Sequence, residues 1–424
     1  MANSSNNKML HTALRSNIAV MWSEARDALE EMPKSARWFH IFWLLGPLIL
    51  LIERSPADAW LTICALVFAV RSILRRDAKW LMVFWVRAVF VFWGVCLVSA
   101  ALSELPAYSL GEAFIWIRFP LFAMASCFWL GKDKRLLYAM MGMTMLGMLI
   151  MSGILLAEIL LEGPKSGRLN WPYGDAVPGN YLAKAGLPAF SVLIAVAVSS
   201  SRQLAVPAGL LSLFTIAISV MTGERINFLI RACGGMLAAL AWKPKIERLI
   251  ALVIVEILCV TLLFAATPKL GQHFINNFIN ELPISSESQY KRVWNGGLEA
   301  FETSPLIGIG PDNYRMLCSQ ISENSSDVDC NNHPHNFYIQ IAAETGSVGL
   351  LAGVVMMCSI IWYCFKSRLS NRRNVVCATA FVVPLGLFFP IQTSADFFSQ
   401  WNNVFMWSAI ALALTSRNLV PSKG

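Results

Sequence analysis

Long apolar runs, separated by short polar segments, make up most of this chain. Most are close to the roughly 20 residues that a helix needs to cross the hydrocarbon of a bilayer. The pattern therefore predicts an all-α polytopic membrane protein with about twelve transmembrane helices. The apolar runs are 38–52, 60–70, 80–102, 113–130, 136–161, 183–199, 204–221, 226–242, 249–266, 348–365, 375–391 and 404–415.

The interval 268–347 is too long and too polar to lie in a membrane. It predicts a large helical loop between the ninth and tenth spans. Apolar residues at helical spacing predict two short amphipathic helices in it, and a stiff Gly/Pro turn from Pro305 to Tyr314 follows the second. The first helix would carry Leu270, Phe274, Phe278 and Ile279, and the second Tyr290, Val293, Trp294, Leu298 and Phe301.

The N-terminal region has a different pattern, in which apolar residues recur at helical spacing between charged ones over about 10–32. This predicts an amphipathic helix lying on the membrane face, with a solvated tail as the alternative. The expected domains are an N-terminal segment 1–36, spans one to nine in 37–267, the external loop 268–347, spans ten to twelve in 348–416, and a tail 417–424.

Charge is distributed between the apolar runs in a way that predicts orientation. The net charge is +8, but the basic residues form short clusters between runs, which argues against a nucleic-acid partner. Basic clusters at 71–79 and 366–373 contrast with 392–403, which contains no Lys or Arg. By the positive-inside rule both termini are cytoplasmic, and the segments near 163–182, 222–225 and 268–347 are external.

Eight of the ten cysteines lie inside apolar runs, where a free thiol behaves as a small hydrophobe. Cys318 and Cys330 alone lie in the long polar loop. Two cysteines in a short external segment predict a disulfide, provided that the loop faces an oxidising compartment. Two unpaired thiols are the alternative.

The sequence His333-Pro334-His335-Asn336 is the strongest candidate for chemistry in the loop. Pro334 suits the first position of a helix, which would place His335 in the first turn, above the positive end of the helix dipole. There the imidazole should be neutral and able to accept a proton, and free backbone N–H groups could bind a phosphate. Pro334 should also turn the His333 ring away from His335. A helix cap without function is the alternative.

Three sets of cations are candidates for binding an anionic substrate. Arg225 follows Thr222-Gly223-Glu224 in a short external turn, and Lys291 and Arg292 begin the second amphipathic helix of the loop. Arg118 should lie about two turns below the outer surface. Arginine suits phosphate because its planar fork stays charged and donates in pairs. The alternatives are an Arg225 that reaches lipid headgroups and a solvated Lys291–Arg292 face.

Arg87 should lie near mid-membrane, where Glu256 at a similar depth could neutralise it.

No Gly-rich phosphate loop and no zinc-like Cys or His spacing is present, and His273, His333 and His335 include no i,i+4 pair. The sequence therefore predicts no cofactor and no metal. The energy for the reaction would come with the substrate or from a gradient.

His335-Asn336, followed after nine residues by Gly346 and after two more by Gly349, resembles the signature of O-antigen ligases. Pro311-Asp-Asn-Tyr and His-Asn-Phe-Tyr-Ile-Gln-Ile-Ala-Ala-Glu-Thr-Gly resemble the signature region of the wider ligase/polymerase superfamily. With about twelve spans and the large loop before span ten, the likeness covers nearly the whole chain.

This resemblance implies a GT-C-like glycosyltransferase of lipopolysaccharide biosynthesis, acting at the periplasmic face of a bacterial inner membrane. Its donor would be a glycan on undecaprenyl pyrophosphate, its acceptor the lipid A core, and membrane lipids its surroundings. His335 would be the base of an inverting transfer, by motif, and Arg225 and Arg292 would bind pyrophosphate, by position. Lys291, Asn336 and Arg118 are further candidate substrate contacts.

Three rival functions remain at this point. An O-antigen polymerase or a protein O-oligosaccharyltransferase would share the motif and the donor but use another acceptor. A polysaccharide transporter or flippase would use Arg87 and Arg118 as path residues. Transporters tend to have two similar halves, whereas here the polar residues gather in one external loop.

Overall fold

The structure is a computed structural model. It describes residues 18–163, 168–174, 177–272, 274, 288–323, 325, 327–390 and 395–421. The described residues form helices and connecting turns, and none of them lies in a β-strand. The expected all-α class is therefore confirmed for the part of the chain that the structure describes.

Helix α1 covers residues 18–30. The helices that follow in the first half of the chain are α2 (Lys34–Leu44), α3 (Gly46–Ile49), α4 (Arg54–Leu74), α5 (Phe84–Ala101), α6 (Pro106–Trp116), α7 (Arg118–Ala125), α8 (Lys134–Leu161), α9 (Val177–Asn180) and α10 (Leu187–Ser199). Two π-helical turns, Ser126–Leu130 and Tyr181–Ala185, extend α7 and α9.

The second half contains α11 (Arg202–Met221), α12 (Arg225–Ala241), α13 (Ile246–Ala266), α14 (Gln289–Thr303), α15 (Tyr314–Ile321), α16 (Phe337–Ser370), α17 (Val375–Thr379), α18 (Val382–Leu387) and α19 (Gln400–Thr415). Residues 268–272 are helical too, whereas Phe278 and Ile279 of the first predicted loop helix lie outside the described residues. The second predicted loop helix is α14.

Among the described helices, seven are long and apolar enough to cross a membrane, and the bent pair Val177–Ala185 and Leu187–Ser199 makes up to eight. This fits a multi-pass membrane protein. The other four apolar runs form shorter or broken helices, namely α2 with α3, α12, α17 with α18, and α19. A total of twelve spans therefore stays a prediction.

Prolines mark the breaks between consecutive helices. Pro47 and Pro188 each lie in the first two positions of a new helix, after the breaks at Leu45 and Gly186. Proline has no N–H to donate, so it is tolerated at a helix start but interrupts a continuing helix. The break before Pro188 bends the α9–α10 pair by 58°. Lys184, just before this break, lines the cavity described in the next subsection.

Most helices pack around one large apolar core, in which α16 lies against α5, α4 against α7, and α10 against α11 and α12. A second, smaller cluster joins α14 and α15 through Ala300, Tyr314 and Leu317. Helix α13 differs from the others because only 6% of its most apolar window is buried, against 39–61% for the other six long helices. Helix α1 packs on α8, where Met21 approaches Gly142 and Glu31 pairs with Arg135 at 2.7 Å.

Candidate functional site

Helix α16 contains a break at Gly346, whose φ of 68° and ψ of −174° are not helical. Beyond the break, the N–H of Ser347 donates to the carbonyl of Pro305 at 2.8 Å, and that of Val348 to Leu306 at 3.3 Å. A Cβ at Gly346 would lie 2.2 Å from the carbonyl carbon of Leu306. Glycine is therefore required here both by conformation and by space.

The segment 305–310 also donates hydrogen bonds to the carbonyl groups of α16 that precede the break. Ile309 N–H donates to the carbonyl of Ala343 at 3.0 Å, and Gly310 N–H donates to that of Glu344 at 2.9 Å. The predicted Gly/Pro turn thus inserts into the kink and exchanges backbone hydrogen bonds with both halves of α16. These contacts hold residues 337–345 at a fixed angle to the rest of the helix.

Asn336 caps the start of α16. Its Oδ1 accepts hydrogen bonds from the N–H groups of Tyr338 and Ile339, and its Nδ2 donates to the carbonyl of Pro390 at 2.9 Å. The helix therefore begins at Phe337, and the prediction that Pro334 occupies its first position was wrong. The Asn336 side chain accepts hydrogen bonds from the first free N–H groups of the helix, which a proline cannot do. Both ends of the Asn336 amide are bonded to backbone groups, which gives this residue a structural role, and its contact with substrate stays a prediction.

His335 precedes the cap, with a left-handed φ of 52°. Its Nε2 lies 3.0 Å from Asn331 Nδ2, and its ring is in contact with the rings of Tyr290 and His333, at centroid distances of 5.8 and 4.3 Å. The prediction that Pro334 separates the two imidazoles was wrong, because the left-handed turn at His335 brings the rings together. Burial lowers the pKa of His335, with Asp396 opposing. The neutral ring thus follows from burial instead of the helix dipole.

His333 lines a cavity of about 320 Å³ between the ends of several helices. Burial lowers the pKa of its imidazole to about 4, so this ring is neutral as well. Three cations share the lining, Arg54, Lys184 and Arg315. Trp401 and Phe405 supply an apolar side. A neutral imidazole beside cations and aromatic rings is a suitable site for an anionic, sugar-bearing ligand.

A buried ion network supports one wall of this cavity. Arg315 bridges Asp312 at 2.7 Å and Asp396 at 2.8 Å. Gln340 fixes Asp396 by donating to its Oδ1 at 2.7 Å, and the N–H of Phe397 donates to Gln340 Oε1. Burial, and next the charge of Asp396, raise the pKa of Asp312 to about 6. The charge of the Arg315 guanidinium is thus largely neutralised by the carboxylates of Asp312 and Asp396.

Arg225, the first residue of α12, is half-buried near the opposite wall. Glu224 precedes it, and burial raises the pKa of this carboxyl against the charges of Arg168, Lys184 and Arg225. Asn227 Nδ2 donates to Asn180 Oδ1 at 3.4 Å, and Asn180 lines the cavity. The start of α12 is therefore attached to the cavity wall.

Lys291 and Arg292 lie half-buried in the first turn of α14. The carbonyl of Arg292 accepts the N–H of Asp329 at 3.3 Å. Neither side chain belongs to the described lining of the cavity. Their helix reaches the histidines through Tyr290, which contacts the His335 ring.

Arg118 and Arg87 are placed away from this site. Arg118 is buried and binds Asp58 through Nε and Nη2 at 3.2 and 3.1 Å, and its Nη1 donates to the carbonyl of Ile115. This geometry gives Arg118 a role in the packing of α4 on α7, and its contact with substrate stays a prediction. Arg87 is exposed and donates to the carbonyl of Leu81. The predicted Arg87–Glu256 pairing was wrong, since Glu256 instead faces Arg231 in a small cavity between α12 and α13.

The structure contains a disulfide between Cys318 and Cys330. It links α15, which carries Arg315 near its start, to the segment that leads into His333. The described residues include no group of three or more His, Cys, Asp or Glu placed to hold a metal ion.

Sequence reasoning assigned no site role to Lys184, Arg315, Arg54 or Asp396. Lys184 carried a usable signal, because a lysine inside an apolar run is costly unless it has a function. Arg315 follows the Pro311-Asp-Asn-Tyr motif directly. Arg54 and Asp396 carried no such signal, since both lie in segments between apolar runs, where charged residues are common.

The comparisons with known proteins agree with the family resemblance. Residues 209–354 match the family model described as O-Antigen ligase, which confirms that resemblance. The matched segment runs from α11 to the kinked part of α16 and includes Arg225, Arg292, His335 and Gly346. No curated protein matches the chain.

Proposed function

We propose that this chain, which carries the O-antigen ligase domain at residues 209–354, is itself a ligase. It transfers a glycan from undecaprenyl pyrophosphate to a sugar of the lipid A core, at the periplasmic face of the inner membrane. The supporting observation is the pair of neutral, touching imidazoles, His333 and His335, beside a cavity lined by cations.

The chemistry follows from the donor. A glycosyl pyrophosphate is already activated, so cations that stabilise the departing pyrophosphate can replace a nucleotide or metal. His335 takes the proton of the acceptor hydroxyl, whose oxygen forms a bond to the anomeric carbon. The bond from that carbon to the phosphate oxygen breaks at the same time. Displacement from the opposite face inverts the anomeric configuration.

The surroundings of His335 support its role as the base. Burial keeps the ring neutral, and Nε2 faces Asn331, an exposed residue at 3.0 Å. An amide N–H that donates there leaves the ring proton on Nδ1 and the lone pair on Nε2. An acceptor hydroxyl can take the place of Asn331 and donate its proton along the same line.

Arg225 and Arg292 complete this proposal as the ligands of the pyrophosphate. Arg225 begins α12 next to the wall that holds Asn180, and Arg292 shares the first turn of α14 with Tyr290 beside His335. Lys291 would add charge to the same turn. The two arginines belong to separate elements, and the proposal requires them to bind one pyrophosphate between them.

The lipopolysaccharide of a strain lacking this protein tests the proposal. A ligase predicts loss of all long-chain bands, with polymeric glycan left on its lipid carrier. A band of core plus a single repeat unit would instead identify a polymerase. Unchanged lipopolysaccharide with unglycosylated secreted proteins would identify a protein O-oligosaccharyltransferase, and lipid-linked glycan trapped on the cytoplasmic side would identify a flippase.

A further inference from the structure

Lys184 is a buried cation in the wall of the cavity. It lies in the π-helical turn Tyr181–Ala185 that ends the first arm of the bent pair, and it is 3% exposed. Its ammonium donates to Asn402 Oδ1 at 2.6 Å. An ammonium has three N–H donors, and no other described residue accepts a hydrogen bond from it.

No carboxylate neutralises this lysine within the described residues. Glu224 acts on it only at longer range and pairs instead with Arg168 at 3.5 Å. The other cations of the cavity differ, because Arg315 lies between two carboxylates and Arg54 is exposed and bonded to Gln400. A buried charge without a partner is costly, and an anionic ligand removes that cost.

The fold holds Lys184 in place for such a ligand. Asn402 points its Oδ1 toward the ammonium because its Nδ2 donates to the carbonyl of Asp396 at 3.1 Å. Tyr181, in the same turn, donates to the carbonyl of Pro47 at 2.8 Å. The ammonium is therefore oriented before any ligand arrives, which is the condition under which a fixed charge stabilises an anion best.

We propose that Lys184 binds a phosphate group of the lipid-linked diphosphate, with its two uncommitted N–H donors directed into the cavity. The identity of the ligand as a diphosphate rests on the proposed function. His333 lines the same cavity, and Trp401 and Phe405 give it an apolar side. The phosphate would thus lie between the lysine and the imidazole pair.

Binding of undecaprenyl diphosphate, without sugar, to the purified full-length protein in nanodiscs tests this role. Lys184→Gln keeps the hydrogen bond to Asn402 but removes the charge. Because a hydrogen bond from a charged group is worth more than a neutral one, we expect affinity to fall by about 10- to 100-fold. Arg87→Gln, which removes an exposed cation outside the cavity, is the matched control and should bind like the wild type.

Asn402→Asp is a second variant that keeps the lysine and supplies it with a carboxylate. We expect it to weaken diphosphate binding as well, because the new carboxylate competes with the phosphate. Wild-type affinity in Lys184→Gln would overturn the proposal even if the protein transfers glycan normally.

A parallel measurement with the lipid A core, which also bears phosphates, separates the two sources of this chemistry. We expect its affinity to be unchanged in Lys184→Gln. A loss confined to that arm would contradict the proposal by assigning Lys184 to the acceptor. The two proposals can fail separately. If the protein binds undecaprenyl diphosphate through Lys184 but does not modify lipid A core, the role of Lys184 stands and the ligase function is refuted.

Discussion

One left-handed residue, His335, determines how the imidazoles of this protein are arranged. The sequence His-Pro-His-Asn predicted a neutral histidine near a helix start, and the helix does start close by. The sequence alone could not reveal that Asn336 is the cap. Proline and asparagine both favour helix starts, and only tertiary contacts decide which of them begins the helix. The sign of φ at His335, and with it the contact of the two rings, is likewise set by the surrounding fold.

We expect His335→Ala to bind the lipid-linked donor but transfer almost no glycan. Removing a general base typically costs about 100- to 10,000-fold in rate. Transfer by purified protein and binding of donor, measured on the same preparation, check this. His333→Ala should be less impaired in proton abstraction but weaker in binding, because His333 lines the cavity. Near-normal transfer by His335→Ala would refute the assignment of the base.

On acidification, the transfer rate should fall with a midpoint below the pKa of 6.5 that is usual for histidine. Burial lowers the pKa of His335 below its usual 6.5, so the neutral, proton-accepting form persists to lower pH and is lost only below that value. Rates measured from about pH 5 to 8 at saturating donor test this sign. A midpoint above pH 6.5 would mean that the charged ring is favoured in the folded protein.

Replacing either proposed pyrophosphate ligand by lysine should leave transfer strongly impaired. Arg225→Lys and Arg292→Lys keep the positive charge, but a point charge replaces a fork that donates in pairs. Initial rates at several donor concentrations check this, with Arg87→Lys as the control at an exposed position. Wild-type rates in Arg225→Lys would reduce that residue to a contact with lipid headgroups.

At the scale of elements, the break in α16 joins the two motifs of the sequence. Gly346 belongs to one motif, and the Pro305 turn leads into the other, yet the structure locks them together by backbone hydrogen bonds. The sequence predicted the turn and the helix separately. It could not predict that the turn inserts into the helix, because an isolated glycine in an apolar helix indicates only a weak point. The Cys318–Cys330 disulfide adds a further link, between α15 and the segment that leads into His333.

Gly346→Ala should destabilise the protein and abolish transfer. The backbone conformation of Gly346 is one that other residues rarely adopt, and a Cβ would collide with the carbonyl carbon of Leu306 at 2.2 Å. Thermal unfolding and transfer should both be measured. Gly153→Ala in α8 is the matched control, because a Cβ there meets nothing within 4 Å and alanine favours the helix. Equal melting temperatures for the two variants would contradict the role of the kink.

At the scale of the whole molecule, the cavity draws on segments that lie far apart in the sequence. Its lining extends from Arg54 to Phe405 and takes Lys184 and Arg315 from between them. Hydrophobic periodicity predicted a helix for each apolar run, because that signal is local. The assembly of the cations depends on how bent and interrupted helices pack, which no local pattern encodes. The external position of the loop stays a prediction from charge distribution.

Helix α13, with only 6% of its apolar window buried, is exposed on almost every side, as expected of a span surrounded by lipid. Its 21 residues extend about 32 Å at a rise of about 1.5 Å each, close to the thickness of the hydrocarbon. With few protein neighbours to fix its tilt, this helix can tilt to match the thickness of the hydrocarbon. This helix leads directly into residues 268–347, so we expect lipid chain length to affect where the loop that carries His335 leaves the membrane. The host membrane would in this sense be part of the geometry of the proposed active site.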